Sequence, residues 1–126
     1  MTPAVAEAIE ELKAAWPDAT VTFHEDGSGG AHVIVEPIDP GFPYTQRETW
    51  IGFQITFQYP YADVYPHFVR PDLTRSDGNA LGEAMTAASF EGRPAIQISR
   101  RSNHLDPTID TAVLKLTKVV EWLRHR

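Results

Sequence analysis

The sequence predicts an α+β fold: an antiparallel four-stranded meander with an N-terminal helix and a long C-terminal helix covering one face. Three patterns carry that reading. Residues 4–16 place Val5, Ile9, Leu12 and Trp16 at helical spacing, with Glu7, Glu10, Glu11 and Lys13 elsewhere on the circumference. Between Thr20 and Arg70, apolar residues recur at period two between turn residues, most strongly from Trp50 to Tyr59. Near the end, Ile109, Val113, Leu116, Val120 and Leu123 repeat along one helical stripe.

The first helix stops at Pro17-Asp18, because the residue before a proline is steered out of the helical region. Thr20–His24 alternates, Asp26-Gly-Ser-Gly-Gly30 supplies a turn and Ala31–Glu36 resumes the alternation, which reads as a hairpin. Pro37–Pro43 is a stiff connector. In the third strand, Trp50–Tyr59, the residues Ile51, Phe53, Ile55, Phe57 and Tyr59 share one face and Gln54, Thr56 and Gln58 the other. His67–Arg70 is a fourth strand closed by Pro71. In the less regular stretch 72–93, Thr74–Asn79 is a loop, and Ala80–Ala88 fits a weak helix or an irregular flap equally well. Ala95–Ser99 alternates as a strand does, and Arg100–His104 reads as an exposed turn. Asp106 then caps the last helix, Pro107 takes its first position, and Arg124, His125 and Arg126 complement the carboxyl end of its dipole.

With 126 residues, 42% of them apolar, the chain suits one domain spanning 1–126 that buries a single core without staples. The absence of cysteine removes disulfides, thiolate metal sites and thiol nucleophiles together. The N-terminus carries carboxylates where a signal peptide needs a basic start, and no segment approaches a membrane span. The expectation is a soluble, cytoplasmic protein that does not engage membranes. A net charge of −6 argues against a general nucleic-acid binder, whose affinity comes from concentrated Lys and Arg. Local basic character is confined to Arg100-Arg101 and the last helix.

Ile55 to Val69 holds the most informative motif: an apolar strand runs into a paired Tyr-Pro turn, Tyr59-Pro60 and Tyr65-Pro66, and on into an apolar strand. This corner resembles that of the ubiquitin-conjugating enzyme superfamily and its non-catalytic RWD domains. Ile9–Asp18 is similar to the opening helix of RWD domains, with its aromatic-Pro-Asp exit. Gly92–Ser99, followed by Leu105-Asp-Pro-Thr-Ile109 and a long helix, resembles the conjugating enzymes' catalytic segment. The resemblance implies a UBC/RWD-like fold over roughly the whole chain, with an insertion around residues 72–91, and suggests a cysteine-free member of prokaryotic type. In that register Gln97 stands where the nucleophilic cysteine would be. An amide has no usable nucleophilic lone pair, so thioester transfer is excluded there. The family's His-Pro-Asn element has no counterpart, although Asn79 and Asn103 lie nearby, and the chain's length suits RWD domains better than full conjugating enzymes.

Other hydroxyls are candidates for the missing thiol: Ser99, Ser102 and, further off, Ser89, with His104 two positions from Ser102 as a base. The alternative is that Ser102-Asn103 makes turn hydrogen bonds and His104 is merely exposed, which turn chemistry predicts without any function. His24, His32 and His67 could meet across neighbouring strands and hold zinc, but none has local ligand spacing, so half-exposed sheet positions are the preferred reading and no metal is expected. Asp26–Gly30 lacks the lysine and helix of a phosphate loop and reads as a turn, and no cofactor is expected. Trp16 suits the core, while Trp122 lies off the main stripe.

The resemblance therefore implies a non-catalytic adaptor or binding component of a conjugation pathway, whose partner is a ubiquitin-like modifier or its activating enzyme. The alternative is a cysteine-free conjugating enzyme that carries the modifier as an oxyester on Ser99 or Ser102. An unrelated α+β binding domain stands behind both.

Overall fold

The computed structural model describes all residues, 1–126. The elements follow in the order α1 (Pro3–Ala15), β1 (Thr20–Glu25), β2 (Ala31–Ile38), β3 (Thr49–Ile55), β4 (His67–Val69), β5 (Met85–Phe90), β6 (Arg93–Ile98) and α2 (Ala112–Arg124). Thr2 caps α1 by accepting from the Val5 N–H, and Pro3 occupies a first-turn position where no donor is needed. The helix buries Val5, Ala8, Ile9 and Leu12, and Trp16 packs half-buried at its exit. The hairpin turn after β1 is held by Asp26, whose Oδ1 accepts from the N–H groups of Ser28 and Gly30. No helix is long and apolar enough to cross a membrane.

All strand pairs are antiparallel, and β1–β4 run as the expected meander, but the sheet has six strands in the order β1-β2-β3-β4-β6-β5. The four-stranded expectation is thus too small. Ala95–Ser99, read as strand-like but outside the meander, corresponds to β6, and Ala80–Ala88, read as a weak helix or flap, instead leads into β5, which pairs along its whole length with β6. Weak local propensity in this alanine-rich stretch yields to that pairing. Glu91 (φ 49°) and Gly92 (φ 77°) close the hairpin in two residues, as a mirror-image turn that matches the strand twist requires.

Register explains the core. Phe23, Val33, Phe53, His67, Ile98 and Met85 stand opposite one another across all six strands, and the next row on that face includes Val35, Ile51, Val69 and Ile96. This face meets α1 and α2. The row of Ile34, Gly52, Phe68 and Gln97 points the other way, where the tip of the β5–β6 hairpin folds across it. Phe90 lies over Gly52, its ring centroid 5.0 Å from that of Phe68 and 6.2 Å from that of Trp50. Beyond it, Glu91 reaches His24 of β1 at 3.2 Å.

Two boundaries differ from expectation. The third strand ends at Ile55 rather than Tyr59, because residues 56–61 bond locally: Tyr59 N–H to Thr56 O and Tyr61 N–H to Gln58 O. Phe57 therefore leaves the buried face and is 57% exposed, whereas Tyr59 returns to the core. The last helix begins at Ala112 with Thr111 as cap, not at Asp106. Asp106 caps a separate short turn through the Thr108 N–H and hydroxyl, which leaves Ile109 62% exposed rather than on the buried stripe.

Candidate functional site

The Tyr-Pro corner closes one end of the sheet. Both Tyr59-Pro60 and Tyr65-Pro66 are cis. Tyr59 is buried, and its phenolic oxygen accepts from the Ala112 N–H at 3.0 Å, giving the first residue of α2 a partner it would otherwise lack. Burial pushes the Tyr59 phenol up, so it stays protonated. Val64 fills the core beside it, and the Tyr65 ring carries the Arg101 guanidinium, Cζ 4.0 Å from its centroid. The turn thus hands one aromatic to the helix and one to the following loop.

Between this corner, the loop 99–105 and α2 lies a polar cluster of Asp63, Ser102 and Lys115. The Ser102 N–H donates to Asp63 Oδ2 at 2.7 Å, and its hydroxyl donates to Oδ1 at 2.8 Å. Lys115 Nζ donates to both Asp63 oxygens, at 3.1 and 3.0 Å, and to Ser102 Oγ at 2.9 Å. Lys115 is only 7% exposed. Burial alone would push the Asp63 carboxyl up; the Ser102 N–H, with the Lys115 ammonium and the Ser102 hydroxyl, outweighs it and holds the group below the usual carboxylate range. Every charge in the cluster is met, as a buried ion pair requires.

Asp63 and Lys115 were not among the residues expected to matter. One signal pointed to Lys115: it occupies an inward position of the apolar stripe, three residues after Ala112 and four before Val119. A lysine there needs a buried partner. Asp63 carried no comparable signal beyond its place in the corner.

The sequence candidates separate. Gln97 lies mid-strand opposite Phe68 and Thr86, half-buried on the face away from the helices, and its amide donates to Ser99 Oγ at 3.2 Å. Ser102 is on the side of α2 with Lys115. His104 does not serve Ser102; it sits exposed in the left-handed region (φ 55°), and Ser102 Oγ is engaged by Asp63 and Lys115 instead. Ser89 is exposed in β5, Asn79 is exposed in the loop before it, and Asn103 is exposed beside Ser102. The three histidines do not converge: His24 and His32 pair across β1 and β2, while His67 points into the core row, and no group of His, Asp or Glu is placed to hold a metal ion. The half-exposed reading of His67 is therefore corrected. It is 1% exposed, neither ring nitrogen has a hydrogen-bond partner, and its ring lies 5.0 Å from Phe53. Burial, helped by the Lys115 charge and opposed by Asp63, pushes His67 down to about 3.

Two further grooves flank these elements. One of about 700 Å3 lies at the far end of the sheet, between Glu36, Glu48, Trp50 and the Arg70–Asp72 pair. The other, about 270 Å3, lies between the 99–105 loop and α2. Compared with known proteins, the chain matches no family model, no curated protein and no solved structure.

Proposed function

We propose that the protein is a cysteine-free, ubiquitin-conjugating-enzyme-like adaptor that binds a component of a ubiquitin-like conjugation pathway, either the modifier or its activating enzyme, without forming a covalent intermediate. One observation supports the non-catalytic part. Of the candidate hydroxyls, that of Ser102 donates its proton to Asp63 and accepts from the Lys115 ammonium, so it works as a structural tether. A nucleophilic hydroxyl needs a free base instead. The pathway itself rests on the resemblance of the Tyr-Pro corner, the opening helix and the Gly92–Ile109 segment.

A second reading keeps the serine active. The 2.9 Å separation of Ser102 Oγ and Lys115 Nζ is that of a serine–lysine pair, and a neutral lysine could take the proton as the hydroxyl attacks a thioester carbonyl, releasing the thiol. Against it stand the two further bonds that Lys115 donates to Asp63.

The two readings part in one experiment. Mixed with an activating enzyme, ATP and a ubiquitin-like protein, the adaptor gives a non-covalent complex on size-exclusion chromatography and no adduct that survives denaturant. An adduct that resists reducing agent, yields to hydroxylamine and vanishes in Ser102→Ala or Ser99→Ala would replace the adaptor by the oxyester enzyme.

A further inference from the structure

The cations of this acidic chain are unevenly placed. Residues 100–126 hold six of the eleven Lys and Arg but only three of the seventeen Asp and Glu, so the chain of net charge −6 carries one basic region. The 270 Å3 groove between the 99–105 loop and α2 lies within it. Two of its cations are already matched, the buried Lys115 by Asp63 and the exposed Lys118 by Asp110 at 3.7 Å. The uncompensated charge belongs to Arg100 and Arg101. Both are exposed, and neither has a carboxylate within 4.0 Å or any hydrogen bond from its guanidinium. Each instead lies over an aromatic ring: Arg101 over Tyr65 of the corner, Cζ 4.0 Å from the centroid, and Arg100 over Trp122 of α2, Cζ 5.2 Å away, a ring that Arg126 also approaches at 4.3 Å. Stacking restrains a guanidinium while leaving its edge donors uncommitted, the form in which arginine grips a two-oxygen anion.

We propose that Arg100 and Arg101, presented on Trp122 and Tyr65 at the mouth of this groove, bind a short acidic peptide segment of a partner protein through bidentate contacts to its carboxylates. The volume is below that of an ordinary cofactor site, which suits side chains rather than a nucleotide. A nucleic-acid strand repeats its charge along a length that would carry it onto the acidic remainder of the chain, whereas a short peptide keeps its carboxylates within the basic region. The inference rests on the protein being a partner-binding domain and names the chemistry of one partner segment. Its test uses the isolated chain, so a negative titration leaves the adaptor reading standing, and a covalent adduct would leave the groove standing.

The probe is a capped hexaglutamate peptide titrated into the full chain, followed by amide and indole NMR shifts at low and at physiological salt, with inorganic phosphate as the competing source of the same chemistry. Shifts are expected to cluster at Arg100–Asn103 and the Trp122 indole. Arg100→Gln with Arg101→Gln should weaken binding about tenfold or more, since two charge-assisted bidentate contacts are lost. Arg101→Lys, which keeps the charge but not the fork, should fall between, and Arg47→Gln, an exposed arginine outside the groove, should bind as the parent does. Unchanged binding in the double variant, an equal loss in Arg47→Gln, or phosphate binding as tight as the peptide would overturn the proposal. So would dimerisation of the free chain that the same two substitutions abolish, because the occupant would then be a second copy.

Discussion

His67 is the residue whose chemistry is furthest from what its neighbours in sequence suggest. It occupies the central core row between Phe53 and Ile98, so the folded state holds it neutral, with the Lys115 charge opposing protonation and Asp63 only partly offsetting it. Its folded value of about 3 lies below the 6.5 of a free imidazole, so the unfolded chain binds the extra proton first. Stability contributed by neutral His67 is therefore complete above the unfolded value and drains away as pH falls towards the folded one. From neutral pH to about pH 5 the loss should be about 2 kcal/mol. Asp63, whose folded value is depressed, acts in a lower window, its contribution being lost only as pH falls below the ordinary carboxylate range. Urea unfolding across pH would separate the two, because His67→Leu should flatten the slope between about pH 7 and 5 and leave the acid limb. An unaltered slope in that variant would show that His67 is not the proton acceptor.

At the scale of elements, the end of β3 is decided by the turn that follows it. Phe53 and Phe57 obey the same alternation in sequence, yet Phe53 is fully buried and Phe57 leaves the sheet where residues 56–61 bond among themselves. Phe53→Ala should cost about 3–5 kcal/mol, while Phe57→Ala should stay within about 0.5 kcal/mol. Equal costs in thermal or denaturant unfolding would mean that β3 runs on to Tyr59. The α2 boundary follows similar logic: Asp106 and Thr111 both suit a cap, and Tyr59 selects Thr111 by giving its oxygen to the Ala112 N–H.

Across the whole molecule, the β5–β6 hairpin is the element that joins distant parts. It leaves the sheet edge, lays Phe90 over Gly52 in the middle of β3 and brings Glu91 to His24 on the opposite edge strand. A Cβ at Gly52 would stand 2.6 Å from the Phe90 ring, so Gly52→Ala should cost about 1–3 kcal/mol by overpacking. Phe90→Ala alone leaves a cavity and costs about 3–5 kcal/mol. Together the two changes should cost clearly less than their sum, since the clash goes with the ring. Strict additivity in unfolding experiments would show that the hairpin tip does not cover β3 in solution.

What the sequence determined by itself is what repeats locally. Val5, Ile9 and Leu12 set α1; the turn at Asp26 and the alternations around it set β1 and β2; Val120 and Leu123 set the buried side of α2. The Tyr59 and Tyr65 corner was legible because proline pairs constrain the backbone wherever they stand. Of the candidate site, Ser102 was legible only as one of three hydroxyls, with Ser99 and Ser89, and its partners were not legible. Asp63 lies 39 residues before it and Lys115 13 residues after it, and no local pattern encodes contacts across such separations. Tertiary structure alone decided that Ser102 is engaged by Asp63 and Lys115 rather than by His104, that Met85–Phe90 is a strand, and that Gln97 faces away from the serine beside α2. The physical reason is the same in each case. Hydrogen-bond pairing and burial across long sequence distances outweigh propensities worth a few tenths of a kcal/mol per residue.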